Sequence, residues 1–279
     1  MRKLLAALSI TVCVAIAVAA PAPADTGFEP AGAVALPDGP APAWLLADLD
    51  TGRILASRNP YEPHAPASTI KVLLAIVALD SLNLNSAIVA RPANTDVECS
   101  CVGIKPGHVY SARQLLDGLL LVSGNDAANT LADMLGGSSV AVAKMNAKAY
   151  QLGARNTRAA TPSGLDGPGM ESVTTPNDLA VIFRAALRYA MFARIVHQAS
   201  ALFPDGNGYK QIDNQNNELF DRYPGTLGGK TGYTDLARKT FVGAAQRNGR
   251  RLAAVQMYGS GDMYGQAIGL FDWGFSQYR

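Results

Sequence analysis

Apolar positions along this chain follow three regimes, and each predicts a different kind of element. Between 43 and 59 two short apolar runs flank the turn pair Thr51-Gly52, which predicts a β-hairpin of strands 43–50 and 53–59. From Ser68 to Leu82 the run STIKVLLAIVALDSL is apolar on nearly every helical face, so the helix it predicts is a buried one. A longer helical block over 111–152 is broken at 122–125 and again at Gly136-Gly137-Ser138. The stretch 161–172 is a Gly/Pro-rich loop. Thr175 then supplies an N-cap and Pro176 a first helical residue, opening a helix to about 189. The last third is strand-like again. Runs 240–247 and 251–258 meet at Asn248-Gly249, a strong hairpin signal, and a strand carrying Lys230-Thr231-Gly232 precedes them. A helix over 263–275 closes the chain.

Strands at both ends with helices between them predict an α+β fold. Its core is one antiparallel β-sheet built from both chain ends and flanked by helices, with an all-helical lobe, 72–190, inserted in the middle. The N-terminus reads differently. Arg2 and Lys3 precede an uncharged stretch, 4–20, and Ala22-Pro23-Ala24 offers the small residues of a cleavage site. The reading is a signal peptide, 1–24, removed before Asp25. Residues 25–42, rich in Pro, Gly and Ala without a period, form a flexible spacer, and 43–279 is the folded domain. The leader's apolar run is Ala-rich and stopped by Pro21 and Pro23, marginal for a bilayer of roughly 30 Å. The expected product is exported to the periplasm or cell wall without a stable membrane anchor; a retained leader is the alternative.

Composition then removes several function classes. With 24 basic and 22 acidic residues the net charge is +2, and no basic stripe interleaves with aromatics, so no nucleic-acid partner is expected. His64, His108 and His197 are scattered without metal-ligand spacing, so neither a zinc peptidase nor any metal or cofactor is expected. Of three cysteines, Cys13 falls in the leader. Cys99 and Cys101 are a candidate disulfide in an exported protein, although the ring is very small; two packed thiols or a labile redox pair are the alternatives.

Three short motifs carry the chemistry. Ser68-Thr69-Ile70-Lys71 is the only S-x-x-K in the chain, and residues three apart share a helix face, so the Lys71 amine can reach the Ser68 hydroxyl. Burial of that helix and a second cation at Lys230 both disfavour charge on Lys71, leaving a neutral base. Ser123-Gly124-Asn125 sits at a helix break, where Ser123 can relay a proton and Asn125 can bind a peptide group. Lys230-Thr231-Gly232 lies on a strand; Lys230 and Thr231 can hold a carboxylate, and Gly232 lets a substrate backbone lie close. Singly each has a bland reading: Ser68 as an N-cap, S-x-N as chance (it recurs at 57–59 and 81–83), K-T-G as a turn.

Together and in this order the motifs resemble those of the penicillin-recognising serine enzymes. The stretches 66–74, 105–107, 121–128, 162–166 and 229–234 look like the serine D-alanyl-D-alanine carboxypeptidases, the low-molecular-mass penicillin-binding proteins. The resemblance implies that Ser68 is the acyl-ester nucleophile, Lys71 the proton acceptor, Ser123 the second-motif hydroxyl and Lys230 a substrate-binding cation. It places the oxyanion hole at the N–H groups of Ser68 and Tyr233, and it offers Arg238 as a residue gripping the substrate carboxylate. Peptidoglycan stem peptides are the implied substrate and β-lactams the implied covalent inhibitors. A class A β-lactamase shares the fold but needs a glutamate to activate water; the expected E-x-x-L-N is absent from this chain, and Glu171 is the only glutamate in the relevant loop. A non-catalytic penicillin-binding sensor is the second alternative.

Overall fold

The alternation of β1 (Ala43–Asp48) sends Leu45 and Ala47 to one face of a sheet and Trp44 and Leu46 to the other. All six of its residues are buried because both faces are covered. The computed structural model describes residues 35–277; the leader 1–24 and the first part of the spacer lie outside the described residues. From β1 the chain turns at Thr51-Gly52 into β2 (Ile54–Arg58), passes a 3₁₀ turn at Ala67–Ile70, and enters α1 (Lys71–Ser81). Next come β3 (Ala87–Val89), α2 (Pro92–Thr95), β4 (Val109–Ser111), α3 (Ala112–Leu121), α4 (Asn125–Met134) and α5 (Ser138–Leu152). After the 161–172 loop come α6 (Pro176–Ala186), α7 (Ala190–His197), β5 (Ser200–Asp205), β6 (Gly208–Asp213) and α8 (Asn217–Arg222). The chain returns to the sheet with β7 (Thr226–Thr234), β8 (Arg238–Arg247) and β9 (Arg250–Gly259), and α9 (Met263–Ser276) follows.

The main sheet runs β2-β1-β9-β8-β7 with every neighbour antiparallel, so β1 from the N-terminal end pairs directly with β9 from the C-terminal end. This is the expected α+β plan. One face is covered by α9 through Leu270 and Phe271 against Leu46, Phe241 and Leu252. The other packs against α6, and the buried α1, part of the same apolar cluster, contacts α3, α4, α5 and α6. Eight of the eleven α1 residues are buried, among them Lys71.

Three features depart from the expected plan. The inserted lobe is not purely helical: β3 and β4 form a small ladder there, Ala87↔Ser111 to Val89↔Val109. Strands of three residues are too short for an alternation to register. The β5–β6 hairpin was also unexpected, its pattern masked by Pro204, which sits on a two-stranded sheet where a missing N–H costs little. The helix expected to run to about 189 ends at Ala186, and α7 starts afresh at Ala190.

Candidate active site

Ser68 lies in the 3₁₀ turn that leads into α1, and its side chain caps neither element. The turn is entered through Ala67, whose φ of 47° is unusual for a residue with a Cβ. It is fixed by Pro66, whose carbonyl accepts from Thr69 Oγ1 at 2.6 Å and from Thr240 Oγ1 at 2.9 Å. Freed from capping, the Ser68 hydroxyl meets the Lys71 amine at 2.7 Å. Lys71 Nζ also lies 2.7 Å from the Ser123 carbonyl, 3.2 Å from Ser123 Oγ and 2.6 Å from Asn125 Oδ1. Burial pushes the Lys71 amine well below the usual lysine range. Lys230 pushes the same way, and the Asp126 carboxylate pulls back.

Ser123 and Asn125 reach this point because α3 ends at Leu121 and α4 starts at Asn125. Between them Ser123 adopts φ 61°, a strained setting that turns both its hydroxyl and its carbonyl to Lys71. Asn125 bridges outward as well, its Nδ2 donating to the Glu98 carbonyl at 2.6 Å. The disulfide Cys99–Cys101 is formed in this same loop. Asp126, which the sequence reading did not single out, anchors the loop. Its buried carboxylate accepts N–H bonds from Val102, Gly103 and Ile104 at 2.8–2.9 Å. The signal that could have found it was an acidic residue in the first turn of a helix, otherwise read as ordinary dipole complementarity.

β7 forms the opposite wall. It is an edge of the main sheet, so its outer backbone groups have no strand partner and face the nucleophile. A Cβ placed on Gly232 would stand 2.8 Å from the Ser68 nitrogen and 2.5 Å from Thr240 Oγ1, so only glycine lets the strand approach this closely. A cleft of about 810 Å³ opens between the walls, lined by Ser68, Ser123, Asn125, Thr231, Gly232 and Tyr233. Tyr233 projects its ring to solvent, with its hydroxyl on Asp235 at 3.0 Å.

Two of the expected cations are absent from the cleft lining. Lys230 lies beneath the cleft at 1% exposure, its amine donating to the Thr231 carbonyl at 2.6 Å, and burial pushes its pKa down to about 7. Arg238 does not reach the cleft. At the β7–β8 turn, with φ 55°, it borders a separate depression with Asp38, Arg58 and Tyr258. The next residue, Lys239, pairs across from Tyr233 and lines the catalytic cleft, its amine donating to the Gly261 carbonyl at 2.7 Å. The other cleft-lining cation, Arg222, is held by Glu218 and Asp262. Gln215 also lines the cleft, and nothing in the periodicity marked it because it sits between β6 and the short α8.

The two carboxylates of the 161–172 loop do not line the cleft. Asp166 accepts from Thr234 Oγ1 at 2.6 Å, and Glu171 accepts from the Gly169 N–H at 3.1 Å.

Comparison with known proteins agrees with this geometry. The sequence profile of the peptidase S11 family, D-alanyl-D-alanine carboxypeptidase, matches residues 31–261. The chain is 62% identical to the D-alanyl-D-alanine carboxypeptidase DacB2 of Mycobacterium tuberculosis, over 99% of this chain and 97% of that protein. It is 29% identical to DacF of Bacillus subtilis, of which it spans 63%. A crystal structure of the M. tuberculosis D-alanyl-D-alanine carboxypeptidase superposes with a TM-score of 0.87 over 90% of this chain and 96% of that one, at 62% identity. The Streptomyces K15 DD-transpeptidase superposes with a TM-score of 0.81 over 87% and 100%, at 27% identity. With profile, sequence and fold in agreement over nearly all of the described residues, the chain belongs to the peptidase S11 family of serine D-alanyl-D-alanine carboxypeptidases.

Proposed function

We propose that this protein removes the terminal D-Ala from peptidoglycan stem pentapeptides through an ester on Ser68, with Lys71 as the base. The observation that carries this reading is the Lys71 amine, buried and held between Ser68 Oγ at 2.7 Å and Ser123 Oγ at 3.2 Å. The stem peptide adds along the free edge of β7, as an extended peptide adds to any exposed strand. Its terminal carboxylate faces Thr231 and Lys239, and the field of the buried Lys230 supports both. Ser68 gives its proton to Lys71 and attacks the penultimate carbonyl carbon. The oxyanion that forms is met by the N–H groups of Ser68 and Tyr233. The proton passes from Lys71 by way of Ser123 Oγ to the departing amine, D-alanine leaves, and water then cleaves the ester.

β-Lactams enter the same chemistry, presenting a strained amide beside a carboxylate. Their leaving group stays tethered, and neither Asp166 nor Glu171, the carboxylates of the 161–172 loop where a β-lactamase carries its water-activating glutamate, lines the cleft. This favours a carboxypeptidase inhibited by penicillin over a β-lactamase. The substrate lies outside the cytoplasm, so export through the 1–24 leader and a single catalytic domain, 43–279, belong to the same proposal.

Mass spectrometry of the protein mixed with penicillin is expected to show a lasting adduct on the Ser68 peptide, and a stem pentapeptide is expected to release D-alanine. Ser68→Ala abolishes both, with turnover lower by several orders of magnitude. Rapid lactam turnover without an adduct would establish the β-lactamase instead, and an adduct without D-alanine release would establish a sensor.

A further inference from the structure

The cleft rim facing β7 is the loop 98–104, and its disulfide joins Cys99 to Cys101 across one residue. So small a ring restricts the unfolded chain little, and a global stabilising role does not account for it. Its surroundings indicate a local one. Glu98, just before the ring, accepts from Asn125 Nδ2 through its carbonyl at 2.6 Å. Ser100, inside the ring, accepts from the Asn125 N–H at 2.6 Å, and its Oγ donates to the Val122 carbonyl at 3.1 Å. Just past the ring, Asp126 clamps the N–H groups of Val102, Gly103 and Ile104. The segment that fixes Asn125 is therefore closed by the disulfide and tied down on its C-terminal side.

The orientation of Asn125 matters to the base. A side-chain amide presents an oxygen on one side and an NH₂ on the other. The Glu98 carbonyl can only accept, so it takes the NH₂ and leaves Oδ1 turned to Lys71 Nζ at 2.6 Å. A neutral amine has two protons, and the acceptors for them are Oδ1 and the Ser123 carbonyl, which leaves the lone pair for Ser68. Were Asn125 to swing half a turn, its NH₂ would face the amine and that arrangement would fail.

We propose that the Cys99–Cys101 disulfide is a positioning element for acyl transfer: it holds the Glu98 carbonyl on Asn125, and Asn125 in turn sets the proton arrangement on Lys71. The proposal rests on the assignment of Ser68 and Lys71 above.

The test uses the mature secreted protein in two forms. One is wild type reduced with tris(2-carboxyethyl)phosphine, which takes up the oxygen of one water as the disulfide becomes two thiols. The other is the double variant Cys99→Ser/Cys101→Ser. Stopped-flow acylation by a fluorescent penicillin separates the binding constant from the first-order acylation rate. Both forms should acylate about 10- to 100-fold more slowly, with binding changed by less than about threefold, as misplaced groups do. Reoxidation of the reduced wild type should restore the rate, and the thermal midpoints should stay within a few degrees. An unchanged rate in the reduced protein, or a loss that only tracks a fallen thermal midpoint, overturns the proposal. Failure of the underlying assignment reads differently: oxidised wild type would then carry no adduct on Ser68.

Discussion

Lys71 has four polar atoms within reach but, once neutral, only two protons, and this mismatch dictates its behaviour with pH. The Ser123 carbonyl and Asn125 Oδ1 can only accept, so they take both protons, and the lone pair is left for the Ser68 hydroxyl. Protonation removes the lone pair and turns a third N–H toward Ser68. Acylation is therefore lost as pH falls through the folded-state pKa of Lys71, which burial and Lys230 hold well below the ordinary lysine value. Lys71→Arg keeps a cation at every accessible pH and should acylate on the order of a thousandfold more slowly between pH 6 and 9, with no recovery at the alkaline end. Penicillin acylation rates across that range check this; a near-normal rate would mean that the Ser68 proton goes elsewhere.

At the level of elements, the site is the place where a 3₁₀ turn, a helix break and a sheet edge converge. Gly232 is the residue that lets the edge come in. An alanine there puts its methyl 2.8 Å from the Ser68 nitrogen, in the space where an oxyanion would sit. Gly232→Ala should lower acylation about 100-fold, the scale of losing an oxyanion-hole donor, while substrate binding changes less. Acylation at the wild-type rate would place the oxyanion somewhere other than between β7 and Ser68. The same convergence explains why Arg238 does not line the cleft. The tight β7–β8 connection sets Arg238 at φ 55° toward another depression, and Lys239, one residue on, faces the cleft.

The whole molecule carries the energetic cost of two lysines in its interior. Unfolded, Lys230 titrates at an ordinary lysine pKa of about 10.4; folded, burial alone brings it to about 7. Between those values the unfolded chain holds a proton that the folded one lacks, so stability rises with pH across that window, and below it the full penalty persists. Lys230→Met removes the buried charge at similar volume. It should raise the thermal midpoint at pH 7 by about 2–4 °C for each kcal/mol recovered, flatten the slope between pH 7 and 10, and abolish carboxypeptidase activity. Calorimetry at several pH values decides it: a midpoint no higher than wild type with an unchanged slope would show that the interior solvates Lys230 well. Lys71 leaves a residual slope of the same sign in both proteins.

The order of strands, helices and strands, the breaks at 122–125 and 136–138, and the three motifs were all legible locally, because each depends on neighbours a few residues apart. Ser68 and Lys71 share a helical turn, so their meeting was readable from spacing alone. The sequence could not place Ser123 and Asn125 against Lys71, 52 and 54 residues away. Nor could it show that Lys230 sits beneath the cleft rather than in it, or that Lys239 rather than Arg238 lines the cleft. It left the Cys99–Cys101 pair open, and it did not connect that loop to Asn125. Those contacts depend on which strand edge abuts which turn, and packing across the β1–β9 seam decides that: two ends of the chain more than 200 residues apart must pair before the cleft exists.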